Sequence, residues 1–460
     1  MAFENRQTAL LFHGAVIHAT SQSAVAVLCD ALLVVDSAGR IVALENNVPR
    51  AAVRQRLVLL GYDGSPVKWL SHGQFLMPGL VDTHNHAPQW LHRGLGQGMQ
   101  ILDWLSEIAF PHEARYESPA YAREAYSRLV TGMLRQGVTT ASYYGSIHGE
   151  ATKILADICL DKGQRALVGK CNMNRNSPDY YREASGEESL QATKDCIEYI
   201  KGIDPHGSLV RPVLTPRFAI SCDEQLLAGL GDLAAAHGDV AIQTHFNESE
   251  QENSTTLSLF PAFTNEADLY AHYGLLSERS ILAHCTLVTP YETQRLQELG
   301  CGVAHCPTAN MTVGGGFMAA PVRDFLQRGI DVGLGTDSGG GYSSSMLNAM
   351  RHALISSFAR DFMFATEGKA SLSLDEVFYM ATAGGARVVG FGDEIGDLSV
   401  GKQFDALLID MGEPTAGVST PLENADPPRT VWEKFVMTGD DRNVTMVFVG
   451  GKVVVEKQRG

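Results

Sequence analysis

The chain has no Cys-x-x-Cys pair, no run of basic residues and no long uninterrupted apolar stretch. Each absence excludes a class of protein. Its eight cysteines are scattered, and the closest two, Cys301 and Cys306, have four residues between them. That spacing fits buried thiols in a reducing, cytoplasmic compartment better than a disulfide framework. Lys and Arg total 36 against 52 Asp and Glu, a net charge of −16. Such a charge repels phosphate polyanions, so neither duplex nucleic acid nor an anionic membrane is expected as a partner. No segment reaches the roughly 18 apolar residues that a membrane-spanning helix needs. The stretch Met1 to His18 carries one Arg and one Glu before a short apolar run broken by His13 and Gly14. No signal peptide is predicted there. What is present is an ordinary globular balance: 45% hydrophobic, 19% charged and 8% aromatic residues.

Length alone, 460 residues, suggests about three domains. The texture suggests otherwise. The first 75 residues read as short strands and turns, with β-rich runs at Ala9–His18, Ala24–Val35 and Arg56–Leu60. From about Leu80, eight short apolar runs alternate with longer helical segments. The runs are Gly79–Thr83, Thr139–Tyr144, Ala166–Cys171, Val210–Leu214, Val240–Thr244, Ser280–Ala283, Gly302–His305 and Val332–Leu334. The helical segments include Tyr121–Gln136, Glu188–Lys201 and Asp223–His237. Eight βα units close a parallel barrel. After Gly392 the strands return at Phe404–Ile409, Asn443–Val449 and Lys452–Val455. The expected architecture is therefore α/β: a (β/α)8 barrel over residues 78–391, with a small β-sandwich built jointly from 1–77 and 392–460.

Four of the 15 histidines stand out by position. His84 and His86 follow Leu80-Val-Asp-Thr83, and residues two apart on a strand share a face, so both can chelate one ion. His245 and His284 end the runs Val240–Thr244 and Ser280–Ala283, and Asp337 follows Val332-Gly-Leu-Gly-Thr336. In a parallel barrel all strand C-termini meet on one face, so these five residues converge as candidate metal ligands. Imidazoles with one carboxylate suit Zn²⁺, or Fe²⁺, with an open position for water. Glu248, three residues beyond His245, is the candidate proton carrier. A second metal needs a bridging carboxylate or modified lysine; the fourth run leads into Arg217-Phe218 and Lys170 lies on an earlier strand, so one ion is expected. His148-Gly-Glu150 lacks the Pro-Cys-x-x-Cys partner of the small zinc deaminases, and His112-Glu113 lacks the second His of a His-Glu-x-x-His pair.

The segment Pro78-Gly-Leu-Val-Asp-Thr-His-Asn-His86, with His245, His284 and Gly335-Thr-Asp337, resembles the amidohydrolase superfamily. From about Leu10 to Val455 the chain is similar, within that superfamily, to the guanine deaminases. The motifs carrying this are His84-Asn-His-Ala-Pro-Gln89, Leu102-Asp-Trp-Leu105 with Phe110-Pro-His-Glu113, Thr215-Pro-Arg-Phe218, Ala304-His-Cys-Pro307, Gly335-Thr-Asp-Ser-Gly-Gly340 and Gly439-Asp-Asp-Arg-Asn443. The resemblance implies zinc on His84, His86, His245 and Asp337. It puts His284 beside the metal water, or among the ligands, and gives Glu248 the proton shuttle with His284 and Asp337 assisting. It also implies a purine held by Gln89, Arg217 and Phe218 next to His245, Glu248 and Asp337, and a homodimer. An Arg fork matches the O6 and N7 acceptors of guanine, Phe218 offers a ring face, and Gln89 can donate and accept. The expected reaction is hydrolysis of guanine to xanthine and ammonia. The alternatives are deamination or dechlorination of another heteroaromatic ring (a pterin, a triazine or an adenosine-type nucleoside) and a catalytically dead binding protein.

Overall fold

The computed structural model describes residues 9–316, 318–364, 371–412 and 422–457. The eight expected runs form strands β1 (Leu80–His86), β2 (Val138–Tyr144), β3 (Arg165–Gly169), β4 (Val210–Pro216), β5 (Ala241–Phe246), β6 (Ser280–His284), β7 (Gly302–His305) and β8 (Val332–Leu334). They lie side by side in chain order, every neighbour parallel. Nearly every strand residue is buried, as a parallel sheet covered by helices requires.

Between β8 and β1 the ring closes through side chains and the loop after β8. Asp82 accepts hydrogen bonds from the Thr336 N–H at 2.9 Å, the Thr336 hydroxyl at 2.6 Å and Asn85 Nδ2 at 3.0 Å. The Asp337 N–H then donates to the His84 carbonyl at 2.9 Å. Gly335 is needed here: a Cβ on it would lie 2.8 Å from the Cβ of His84. This stitching sets Asp337 directly over the His84–His86 pair.

The expected helices begin on well-chosen residues. Ser118, Ser185 and Asp223 each accept a hydrogen bond from the first turn of Pro119–Arg135, Gly186–Ile203 and Glu224–Ala236.

The two chain ends build one mixed eight-stranded sheet. Its seam is the antiparallel pairing of Gln74–Pro78 with Ala406–Asp410, flanked on one side by Leu10–Ser21 and on the other by Val444–Val449. Buried Arg165, at the start of β3, donates from Nε to Asp405 at 2.7 Å and so ties the barrel to this sheet. One expected strand is wrong. Arg56–Leu60 falls in a helix, Val53–Leu59, because Val53 and Leu57 are its buried positions and a spacing of four is helical. The three arginine and glutamine side chains between them face water.

Candidate active site

At the C-terminal mouth of the barrel, one ligand atom each from His84, His86, His245 and Asp337 falls within 4.8 Å of all the others. Asp337 Oδ1 lies 3.3 Å from His84 Nε2 and 3.4 Å from His86 Nε2, and His86 Nε2 lies 3.1 Å from His245 Nε2. The His245 Nδ1–H donates to the Arg217 carbonyl at 2.5 Å, which leaves its Nε2 lone pair facing the centre. His284 donates from Nδ1 to Asn310 Oδ1 at 2.7 Å, so its Nε2 also points inward, 3.7 Å from Glu248 Oε1.

Burial keeps His84 below the ordinary histidine range and His86 and His245 well below it, so these imidazoles are neutral and their lone pairs are free. Burial opposes charge on Asp337 too, yet the close approach of His84, with His284 and His86 around it, holds its carboxyl well below the usual range. At Glu248 burial prevails. Burial pushes it up to about 7, against the opposing pull of His284.

This donor set fits a divalent ion. The Nε2 atoms of His84 and His284 are buried with no hydrogen-bond partner among the described residues, and His86 Nε2 is crowded by His245 Nε2 at 3.1 Å and Asp337 Oδ1 at 3.4 Å. Lys170, a candidate bridge to a second ion, is instead buried against Glu183 and the Cys171 carbonyl.

The backbone is strained where it delivers these groups. Among the described residues six non-glycines have positive φ, and four of them are Asn247 (46°), His284 (74°), Cys285 (48°) and Asp337 (45°). Each such residue costs on the order of 1–3 kcal/mol and persists only where its surroundings over-determine it.

A small cavity opens onto the cluster. His86, His245, Glu248 and Asp337 form its floor; Ile101, Trp104, Leu105 and Phe218 give apolar walls; Gln89 and Arg217 give the polar one. The segment Leu105–Ala109 is a short π-helix, a form that often marks functional sites.

Behind the polar wall lies a carboxylate to which the sequence assigns no role. Glu113, fully buried, accepts from Arg217 Nη1 at 2.9 Å and Nη2 at 3.2 Å, from Gln89 Nε2 at 2.6 Å and from the Tyr181 hydroxyl at 2.7 Å. The fork of Arg217, expected to grip a ring edge, is therefore taken up by Glu113. Gln89 is oriented by the same carboxylate, and its buried Oε1 has no partner among the described residues, so it is left as an acceptor. In the sequence Glu113 appears as the last residue of the motif Phe110-Pro-His-Glu113, with nothing in its spacing to mark its partner Arg217, 104 positions away.

The chain matches the family described as the Amidohydrolase family over residues 75–454. It is 39% identical to the guanine deaminase of Rattus norvegicus over 462 residues, covering 99% of this chain and 98% of that one. It is 43% identical to the probable guanine deaminase of Schizosaccharomyces pombe over 381 residues, covering 83% and 71%. Among solved structures it is similar to the guanine deaminase from C. acetobutylicum with bound guanine in the active site. There the TM-score is 0.86 at 29% identity, covering 97% of this chain and 100% of that one. The chain belongs to the amidohydrolase family, and these relatives are guanine deaminases.

Proposed function

We propose that the chain is a hydrolase of the exocyclic C–N bond of guanine, producing xanthine and ammonia with one Zn²⁺, Fe²⁺ being the alternative ion. The observation that carries this reading is the shared wall. Gln89, Arg217 and Phe218 line the same cavity as His86, His245, Glu248 and Asp337, so a flat, uncharged ring can meet recognition groups and the reactive centre at once. A net charge of −16 is compatible with such a neutral substrate.

In this reading His84, His86, His245 and Asp337 hold the ion, and His284 stands beside it. A divalent ion there supplies Lewis acidity that brings the pKa of water towards neutrality. Glu248 takes the proton that the attacking water loses as its oxygen bonds to C2 of guanine. It then delivers that proton to the ring nitrogen. Glu248 next carries the remaining hydroxyl proton to the amino group, the C2–N bond breaks, and ammonia leaves. His284 and Asp337 face the same water and orient it. Phe218 covers a ring face, while Gln89 Oε1 accepts from a ring or amino N–H. Stripping the ion with a chelator should abolish ammonia release from guanine, and one equivalent of Zn²⁺ per chain should restore it. Full activity in the stripped protein would refute the metal assignment.

The proposal includes a cytoplasmic homodimer. All eight cysteines are free thiols and seven are buried, which suits a reducing compartment. The helix Met346–Phe364 turns Ile355, Phe358 and Phe362 outward, 61%, 55% and 88% exposed, at positions that share one helical face. With Met363 and Phe364 they leave roughly 600 Å² of apolar area open, taking about 200 Å² per ring. That approaches the ~800 Å² each partner buries in a standard interface, and an apolar stripe can pair with its own copy about a two-fold axis. Sedimentation should give twice 49.7 kDa, and Phe358→Glu combined with Phe362→Glu should halve it; a wild-type monomer would refute this.

A further inference from the structure

Behind Glu248 the chain buries three more glutamates, Glu252, Glu266 and Glu292, around the turn Phe246-Asn247-Glu248. This turn has its left-handed residue at Asn247. The Asn247 N–H donates to Glu266 Oε2 at 2.9 Å, Asn247 Nδ2 donates to Glu292 Oε1 at 2.8 Å, and the Glu248 N–H donates to Glu252 Oε2 at 3.2 Å. The Thr286 hydroxyl lies 2.5 Å from the Glu248 carbonyl and 3.1 Å from that of Asn247. Every backbone group that could let the turn relax is held.

Glu252 and Glu266 also hydrogen-bond to each other through their carboxyl groups. Two carboxylates cannot do so without a proton between them. The donors around them say which one has it. Glu252 already accepts from the Glu248 N–H and from the Thr256 hydroxyl at 3.0 Å. Glu266 accepts only from the Asn247 N–H, and its Oε1 meets no donor among the described residues. The proton therefore sits on Glu266 Oε1. Burial and the neighbouring Glu252 charge push Glu266 in the same direction, well above the carboxylate range.

We propose that Glu266, as a neutral acid, and Glu252, as a carboxylate, form a one-proton pair that positions Glu248 by fixing the strained turn carrying it. The proposal rests on Glu248 being the proton carrier. It places two residues that do not touch the substrate in the chain of causes that sets turnover.

The protonation assignment makes the test asymmetric. Glutamine is a close isostere of a protonated glutamic acid: in Glu266→Gln the amide carbonyl can accept from Asn247 and the amide N–H can donate to Glu252. In Glu252→Gln an amide N–H must face one of three donors. Turnover of guanine by the metal-loaded full-length protein should stay within about threefold of wild type in Glu266→Gln. In Glu266→Ala and Glu252→Gln, kcat should fall roughly 10- to 100-fold, as expected for a misplaced reacting group, with KM and metal content within about threefold. Should Glu252→Gln fail to fold, the rescue of Glu266→Ala by Glu266→Gln decides alone. The proposal is overturned if Glu266→Gln is as impaired as Glu266→Ala, if Glu252→Gln keeps wild-type kcat, or if the loss lies in KM. Failure of the underlying reading is distinct, because it would appear as normal turnover in Glu248→Gln.

Discussion

Replacing Glu248 by Gln should lower kcat on guanine by about 10³-fold while leaving the bound metal and the fold unchanged. A positioned general acid–base typically contributes ~10²–10⁴-fold, and Glu248 moves both protons of the attacking water. The substitution preserves shape and burial, so the cavity keeps its volume. It removes only the ability to take and return a proton. Glu248 is also well placed electrostatically: burial raises its carboxyl to about 7, so neither protonation state is strongly preferred near neutral pH. KM should change little, because the amide can still hydrogen-bond a ring nitrogen. Steady-state kinetics with metal analysis on the same sample checks this, and a variant retaining more than about a tenth of wild-type kcat would contradict the role.

Glu113→Ala should cost about 3–5 kcal/mol of stability, because it leaves the fully buried Arg217 without its counter-charge. The effect on binding should be as large. Gln89 and Arg217 both lose the carboxylate that orients them, so KM for guanine should rise by at least roughly tenfold. Glu113→Gln, which keeps the volume and one acceptor, should be milder on both counts. Burial alone would raise the Glu113 carboxyl, but the Arg217 charge and its hydrogen bonds outweigh that and hold it below the usual range. Its stabilisation is therefore present at neutral pH and is lost as pH falls below the ordinary glutamate value through the lowered one. Denaturant unfolding at pH 7 measures the loss; a change under about 1 kcal/mol would mean that Arg217 finds another partner.

The barrel was legible in the sequence because its strands are short, apolar and separated by amphipathic segments, and because parallel strands deliver their last residues to one face. That geometry brought His84, His86, His245, His284, Glu248 and Asp337 together from 254 positions of chain, Asp337 being the last and His84 the first. Pairings without local periodicity were not legible. Glu113 reaches Arg217 across 104 positions, and Asp82 reaches Thr336 across 254. Both join side chains on different elements, and nothing in the spacing of either partner marks the other. The same holds for Glu266, which reads as a helix-start acid until the turn at Asn247 is seen to hydrogen-bond to it. The helix at Val53–Leu59 was misread because a five-residue window cannot separate a period of two from one of 3.6.

Guanine should be deaminated in this cavity in preference to other aminated rings. The direct measurement is ammonia release by the zinc-loaded protein from guanine, adenine, a pterin and an aminotriazine, side by side, with xanthine identified as the product. Guanine should yield one xanthine per ammonia with a kcat/KM at least about 100-fold above the other three, since losing a matched hydrogen-bonding edge leaves buried polar groups unpaired. Equal or greater turnover of any of the others, or no xanthine from a fully metal-loaded protein, would contradict it.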